Sequence, residues 1–216
     1  MKEEGNCAIE LLPRVVGVER HRLLTDGEGV STLVVFHGCP LRCRYCLNPL
    51  TLTDGWRWKP IRCKDLYGQL KVDELYFLAT GGGVTFGGGE PALYPGFITE
   101  FRGLCGKDWL LTLETSLNVP RENIVRLLPV VDRFIVDIKD VHLEIYRRYT
   151  GKDNRGVLEN LRFLVEKGRS NDVTVRVPLI PGYNTMEEQE DSRLVLERMG
   201  LNCFDLFTYE TDRTDE

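Results

Sequence analysis

The chain alternates between two patterns of apolar residues. Short runs rich in valine, isoleucine, leucine and phenylalanine are typical of buried strands, and longer stretches between them carry apolar residues at helical spacing. Strands that alternate with helices indicate βαβ units and a parallel sheet. Six strands are predicted, at 32–37, 84–87, 109–114, 133–138, 173–178 and 204–209.

The stretches between these strands are long enough to form connecting helices. A closed (β/α)8 barrel has eight strands and typically takes about 250 residues. Six strands in a chain of 216 residues are two strands short of such a barrel, and the segment 14–24 is a candidate edge strand outside the parallel sheet. Helices are predicted at 64–79, 95–105, 121–128, 143–148 with 156–167, and 185–199.

Composition indicates a soluble globular enzyme, with 42% apolar and 28% charged residues. The length fits one domain, 1–216, with an N-terminal extension at 1–25. The formal net charge of −5 argues against a nucleic-acid partner, since phosphate binding requires clustered lysine and arginine. We expect no membrane attachment, because the chain starts without a signal-type apolar region and no run approaches the roughly 20 apolar residues of a spanning helix.

Three of the seven cysteines form a candidate ligand set. Cys39, Cys43 and Cys46 follow the first predicted strand in a CxxxCxxC spacing. Three thiolates can hold three corners of a 4Fe–4S cluster and leave the fourth iron open to a small molecule. A structural zinc site is the alternative, but it needs four ligands, and the other cysteines and the histidines are scattered. Such cysteine usage suits a reducing compartment, so we expect a cytoplasmic protein.

Two motifs resemble those of a known family. The cysteine spacing, with Tyr45 just before Cys46, resembles that of the radical S-adenosylmethionine (radical SAM) enzymes. The segment 83–91 contains a GGE motif in the wording V-T-F-x-G-G-E-P, which resembles the glycyl-radical-enzyme activases of that superfamily, and Asn48 with Pro49 also fits. The resemblance runs in register from residue 26 to residue 209, and it implies an open (β/α)6 partial TIM barrel.

The resemblance also implies an activity. Such an enzyme reductively cleaves S-adenosylmethionine at one 4Fe–4S cluster and generates a glycyl radical on a partner, the glycyl radical enzyme, by hydrogen abstraction. It takes its electron from a reducing donor such as flavodoxin or ferredoxin. Two alternatives stay open: a radical SAM enzyme that acts on a small molecule or a peptide, and a non-catalytic iron–sulfur protein that senses redox state.

Side chains near the two motifs receive roles from the same resemblance. The backbone of Gly88 and Gly89 is expected to pair with the amino group of the cofactor's methionine moiety, because glycine permits close approach. Glu90 is expected to anchor this loop. Tyr45 is expected to pack its ring against the adenine.

Polar residues at the ends of later strands are further candidates, because ligands gather at the carboxyl ends of parallel strands. Thr115 and Ser116 match the family's D-T-N/S motif, with Glu114 in place of the aspartate. Asp137 and Lys139 match its D-x-K strand. In the activases these positions bind a monovalent cation beside the cofactor, so Glu114 and Asp137 are candidate cation ligands, and Lys139 is a candidate contact of the methionine carboxylate or of these acids.

The fifth strand and its exit carry the last candidates. Arg176 is expected to contact substrate or cofactor. The activases have a ribose-contacting histidine after this strand; this chain has none there, so Asn184 or Asp191 is a candidate substitute. The segment 26–32 lacks the proline and the arginine of the activases' D-G-P-G-x-R motif. Cys63 is the single cysteine between the cluster motif and the GGE motif, which predicts one cluster.

An open barrel also predicts how a substrate enters. Two missing βα units predict a lateral opening beside the cluster, wide enough for a glycine-bearing loop of a large partner. The polar tail 211–216 is not expected to close it. The remaining cysteines are expected to be core residues or incidental thiols, and they are Cys7, Cys63, Cys105 and Cys203. The tryptophans Trp56 and Trp58 are expected to lie in the core, at the rim of the site or in a partner interface.

Overall fold

The computed structural model describes residues 12–23, 27, 29–54 and 57–209, and within these residues eight strands form one sheet. Across the sheet the strands lie in the order β3, β1, β2, β4, β5, β6, β7, β8. In chain order they are β1 (Arg14–Leu23), β2 (Val30–Phe36), β3 (Lys59–Pro60), β4 (Gly83–Gly88), β5 (Leu110–Thr115), β6 (Arg133–Asp137), β7 (Val173–Leu179) and β8 (Cys203–Thr208).

The six predicted strands are present and run parallel from β2 to β8. The strand predicted at 14–24 is confirmed as β1, which pairs antiparallel with β2. It is not the edge of the sheet, because the short β3, which the pattern did not predict, pairs along its outer side. β3 and β8 end the sheet without pairing to each other. The open, mostly parallel α/β sheet confirms the predicted fold class.

The predicted helices are present, with one exception. The stretch 64–79 was expected to be one helix, and this is wrong: a 3-10 turn at Lys71–Asp73 divides it into two. In the described part of the chain the α-helices are α1 (Cys63–Leu70), α2 (Glu74–Thr80), α3 (Pro95–Cys105), α4 (Arg121–Leu127), α5 (Leu143–Thr150), α6 (Arg155–Glu166) and α7 (Met186–Arg198).

A buried carboxylate explains the break between α1 and α2. The side chain of Asp73 is fully buried. It accepts hydrogen bonds from both Nε and Nη2 of Arg20, with the Nε contact at 2.7 Å, and it lies 3.0 Å from Nε2 of His21. A buried charge is tolerated only when such partners satisfy it. The tight turn brings Asp73 to these partners on β1, at the expense of a continuous helix.

β1 is adapted to the same contact. Consecutive residues of a strand normally point to opposite faces, yet Arg20 and His21 both reach Asp73. The register with β2 shifts between Glu19 and Arg22, and His21 has a positive φ of 59°. This irregularity turns two neighbouring side chains toward one carboxylate, as β-bulges commonly do.

The main apolar core lies between the sheet and the helices. Phe86 of β4 and Phe101 of α3 meet edge to face with their ring centroids 5.4 Å apart, and Trp109 is also fully buried in this core. Cys63 and Cys105 are buried in it as small apolar side chains, as expected. Cys203 is instead exposed on β8.

Some expectations concern other parts of the chain. Cys7, Trp56 and the tail 211–216 lie outside the described residues. Within the described ranges, no helix combines the length and the apolar character needed to cross a bilayer.

We expect Asp73→Asn to lower the free energy of unfolding by about 2 kcal/mol at pH 7, because hydrogen bonds to a charged group contribute about 1.5–3 kcal/mol. Hydrogen bonding to Arg20 holds the pKa of Asp73 below its ordinary value although burial opposes this. A carboxyl with a depressed folded pKa stabilises the protein above its unfolded pKa of about 3.9, and the contribution is lost as the pH falls through the folded pKa. In urea titrations the difference between the two proteins should therefore shrink below about pH 4.

The matched control is Asp65→Asn. Asp65 forms an exposed pair with Arg62 at 2.6 Å, and such surface pairs contribute only about 0–1 kcal/mol. If both substitutions had the same small effect, Asp73 would not be the reason for the helix break.

Candidate functional site

A cavity of about 490 Å³ opens at the carboxyl ends of the parallel strands. The sequence analysis placed its candidates at these ends for that reason, and the structure brings all of them except Asn184 and Asp191 to this one cavity. Its lining includes Cys39, Cys43, Tyr45, Cys46, Gly88, Gly89, Glu90, Glu114, Thr115, Ser116, Asp137, Lys139 and Arg176.

The cysteine loop, residues 37–48, is held by backbone hydrogen bonds on both sides. The amide of Gly38 donates to the carbonyl of Thr51 at 2.8 Å, and that of Arg42 donates to the carbonyl of Thr150 at the end of α5 at 3.0 Å. The Arg42 guanidinium also donates to the carbonyl of Cys39 at 2.7 Å. These contacts determine where the three thiols lie before any metal binds.

The three cysteines suit a multi-iron cluster better than a single ion. All three are free and half-buried, and among the described residues no three histidine, cysteine or acidic side chains are arranged to hold one metal ion. In a 4Fe–4S cluster each thiolate binds a different iron. Burial, reinforced by Glu90, raises the pKa of the Cys39 thiol to about 12 in the metal-free protein, whereas a bound metal deprotonates its thiol ligands.

The glycine loop after β4 is joined to the exit of β2. The amide of Gly89 donates to the carbonyl of Phe36 at 2.9 Å, and that of Glu90 donates to the carbonyl of Gly38 at 2.7 Å. Gly88 has a φ of +84°, a conformation that favours glycine. A Cβ on Gly89 would lie 2.3 Å from the carbonyl oxygen of Gly38. The glycines are therefore required by the approach of two backbone segments of the chain itself.

Glu90 connects this loop to the exit of β5. Its carboxylate is fully buried and accepts hydrogen bonds from the hydroxyl of Thr115 at 2.6 Å and from the hydroxyl and amide of Ser116 at 2.6 and 2.9 Å. The amide of Ala92 donates to it at 3.2 Å. Burial raises the pKa of Glu90, and these hydrogen bonds counteract part of that effect. The polar groups of Glu90, Thr115 and Ser116 thus satisfy one another's hydrogen-bonding capacity.

Lys139 presents a buried positive charge to the cavity. Its ammonium donates to the hydroxyl of Tyr209 at 3.0 Å and lies 3.3 Å from a carboxylate oxygen of Asp137. Burial alone would lower the pKa of Lys139, but Asp137, Tyr209 and Cys43 outweigh it and the pKa is raised well above its ordinary value. The backbone of Lys139 is left-handed, with φ 64°, a strained conformation of the kind that concentrates at functional sites.

Arg176 forms a second charge group in the cavity. Its guanidinium donates to Glu114 at 2.7 Å and lies 3.6 Å from Asp205 of β8. Burial lowers the pKa of Arg176, while Glu114 and Asp137 raise it more. The two candidate cation ligands, Glu114 and Asp137, are therefore each in contact with a basic side chain. The bound monovalent cation stays a prediction.

The sequence analysis did not name every side chain of the cavity. Two of the missed residues lie at the carboxyl end of the last strand, where the rule that identified Asp137 would have found them. Two others come from β1, whose irregular antiparallel register no sequence pattern reveals. The missed lining residues include Glu19 and Arg22 of β1, Asp205 within β8, and Phe207 and Tyr209 at the carboxyl end of β8.

The two candidate substitutes for a ribose-contacting histidine do not line this cavity. The side chain of Asn184 donates to Asp140 at 3.0 Å and accepts from the amide of Ile180 at 2.6 Å. Asp191 lies 2.9 Å from Nε2 of His142. Both residues belong to a polar cluster between α5 and α7 that stabilises the exits of β6 and β7.

Trp58 has partners within the protein. The guanidinium of Arg14 lies over its ring, 4.1 Å from the centroid, and the ring of His37 is 5.9 Å away. The side chain thus covers the start of β1 and the first turn of the cysteine loop, which explains its place without a partner protein.

Comparison with known families matches residues 33–195 to the Radical SAM superfamily. The chain is 34% identical over 168 residues to the pyruvate formate-lyase-activating enzyme of Clostridium pasteurianum, a match that covers 76% of this chain and 68% of that enzyme. It is 28% identical over 221 residues to the (2S)-3-sulfopropanediol dehydratase activating enzyme of Klebsiella oxytoca, covering 74% of this chain and 69% of that one.

A solved structure shares the fold. Streptococcus suis SuiB bound to S-adenosylmethionine superposes with a TM-score of 0.64 at 14% identity, over 82% of this chain and 40% of SuiB. The chain therefore spans about two fifths of SuiB's length.

We expect Gly89→Ala to destabilise the protein by about 1–3 kcal/mol, the usual cost of forcing extra atoms into a packed site. The new methyl group would also lie 2.7 Å from the carbonyl oxygen of Phe36, which accepts the Gly89 amide hydrogen bond. Thermal denaturation measures the loss. Gly103→Ala is the control, since a Cβ there meets nothing within 4 Å and alanine favours a helix by about 0.5–1 kcal/mol. Equal melting temperatures would contradict the close approach at Gly89.

Proposed function

The chain belongs to the radical SAM superfamily, and on this basis we propose that it activates a glycyl radical enzyme. The observation that carries the proposal is one cavity lined both by Cys39, Cys43 and Cys46 and by the glycine loop that Glu90 holds. Similarity to two activating enzymes supports the choice of partner class.

The three cysteines would hold a 4Fe–4S cluster, with its fourth iron left for the amino and carboxylate groups of S-adenosylmethionine. When both are bound they would supply radical chemistry, namely the one-electron reductive cleavage of S-adenosylmethionine to methionine and the removal of one hydrogen atom from a glycine Cα, which would leave 5′-deoxyadenosine and a glycyl radical. The protein's part is to bind, orient and shield the reactants.

The chain's own residues divide this work. The Glu90 hydrogen bonds keep the backbone of Gly88 and Gly89 at the cavity wall, where it can accept the amino group of the cofactor. Lys139 keeps its proton because Asp137 lies beside it, and its fixed charge suits a carboxylate. Tyr45 supplies an aromatic face for the adenine.

The open sheet supports a macromolecular substrate. β8 ends the sheet, and its residues Asp205 and Phe207 line the cavity. Among the described residues no strand pairs along the outer side of β8, so the cavity reaches an edge of the sheet where an extended chain with the target glycine can approach. An enclosed site would instead favour a small metabolite.

The electron donor and the compartment follow from the same chemistry. We propose flavodoxin or ferredoxin as the donor, since the reaction consumes one electron per glycyl radical. The six cysteines among the described residues are free thiols, and iron–sulfur assembly on three of them requires a reducing environment, so we propose the cytoplasm.

A small-molecule or peptide substrate is the second candidate. The cavity wall carries fixed charges that the activase reaction does not use, including Glu19, Arg22 and Asp205. Such groups could orient a small polar substrate. A substrate of this kind would react without any protein partner.

We expect the protein, reconstituted anaerobically with iron and sulfide and reduced with dithionite, to convert S-adenosylmethionine to methionine and 5′-deoxyadenosine. Cys46→Ala should abolish the reaction, because two thiolates do not hold the cluster. The matched control is Cys63→Ala, since Cys63 is buried in the core, and it should retain the cluster absorbance and the cleavage rate. Loss of the cluster in Cys63→Ala would show that the ligands are wrongly assigned.

The substrate is tested with a peptide that copies a glycine loop and carries α-deuterated glycine. We expect deuterium in the 5′-deoxyadenosine by mass spectrometry, and a glycyl radical signal by electron paramagnetic resonance on the intact partner. Cleavage without deuterium transfer would favour the small-molecule alternative. A stable cluster whose electron paramagnetic resonance spectrum does not change when S-adenosylmethionine is added would indicate a redox sensor.

A further inference from the structure

A group of exposed basic side chains surrounds the outer side of the cysteine loop. They come from two segments that are about 100 residues apart in the chain and are joined by backbone hydrogen bonds, from the amide of Arg44 to the carbonyl of Tyr149 at 3.1 Å and from that of Arg42 to Thr150 at 3.0 Å. The basic patch consists of Arg42, Arg44, Arg147, Arg148 and Lys152.

The patch is positive although the chain carries a net charge of −5. Arg147 has acidic partners, Glu144 at 3.4 Å and Asp153 at 2.9 Å. Among the described residues no carboxylate lies within ion-pair distance of the other four basic side chains. Concentrated charge of one sign on a protein of the opposite net charge attracts and orients a complementary partner.

Packed aromatic rings connect the patch to the cysteines. The guanidinium of Arg148 lies over the ring of Tyr183, 5.2 Å from its centroid. Tyr183 meets the ring of Tyr45 at 5.8 Å, and Tyr45 is the residue before Cys46. Cys43 packs against the same aromatic cluster. A partner bound to the patch would therefore contact side chains that pack against the cysteine loop.

We propose that the basic patch is the docking surface of an acidic electron-carrier protein that reduces the cluster. This rests on the proposed function, because it assigns the electron input of that reaction. One electron passes from the reduced cofactor of the carrier to the oxidised cluster, so the carrier is oxidised by one electron and the cluster is reduced by one. Interfaces for such transfers are small and depend on charge.

The patch and the substrate cavity are on different sides of the cysteine loop. None of the five basic residues lines the cavity, whereas the glycine loop of a partner must reach the cavity itself. The patch is therefore separate from the lining of the substrate cavity.

The test is the double charge reversal Arg44→Glu with Lys152→Glu. Both side chains are exposed, and neither forms a side-chain hydrogen bond or ion pair with another described residue, unlike those of Arg42 and Arg148. With reduced flavodoxin as the acidic carrier, we expect the rate of S-adenosylmethionine cleavage to fall at least 10-fold at low salt, the range of electrostatic steering. With dithionite, a small reductant that needs no docking, the rate should stay unchanged.

The control reverses two exposed basic residues remote from the patch, Lys107→Glu with Arg162→Glu, which changes the net charge equally. It should leave both rates unchanged. Salt should slow the flavodoxin-driven reaction of the unaltered protein, because exposed charges are screened within about 10 Å at 0.1 M, and the patch variant should lose this dependence.

Each other outcome has a distinct meaning. Equal flavodoxin rates in the patch variant and the unaltered protein would overturn the docking surface and leave the proposed function standing. A loss confined to glycyl radical formation, with normal reduction of the cluster, would reassign the patch to the glycyl radical enzyme and overturn the carrier proposal. No cleavage with dithionite by any of these proteins would instead reject the proposed function.

Discussion

The buried carboxylate of Glu90 is the contact on which the site depends. It lies at the exit of β4 and binds the hydroxyls and an amide at the exit of β5, while the amide of Glu90 binds the exit of β2. Three strand ends are thereby joined through one residue. Burial of an unsatisfied carboxylate would be costly, so the four hydrogen bonds that it accepts leave this arrangement few alternatives. The cysteine loop and the glycine loop share one wall of the cavity for this reason.

Charge is distributed in the cavity as pairs. Lys139 lies beside Asp137, and Arg176 lies beside Glu114. Paired charges inside a protein interact strongly, so the cavity offers polar groups held in place to a polar ligand without large reorganisation. The basic patch on the outer side of the cysteine loop differs from the cavity, because most of its positive charges have no acidic partner among the described residues. These charges favour the approach of an acidic protein. The two surfaces suit the two inputs of the proposed reaction, a bound cofactor and an electron.

Much of the site could be predicted because its chemistry is local in sequence. A CxxxCxxC spacing and a GGE motif act through neighbouring residues, and strand ends such as Asp137 converge in any parallel sheet. The same rule would have found Tyr209, had it been applied to the last strand. The Asn184 amide donates to Asp140, a contact between residues 44 positions apart that no local pattern records.

The sequence by itself determined the alternation of strands and helices, the parallel sheet and the cysteine loop, because these depend on periodicity and short spacing. Only the tertiary structure decided the rest. Asp73 breaks a stretch of helical pattern because its partner Arg20 lies on β1, and β3 exists because β1 offers it an edge. The partners of the Glu90 carboxylate were also decided by folding, because β5 brings Ser116 to it. In each case a buried or unpaired polar group is satisfied by a residue distant in sequence, and only folding brings the two together.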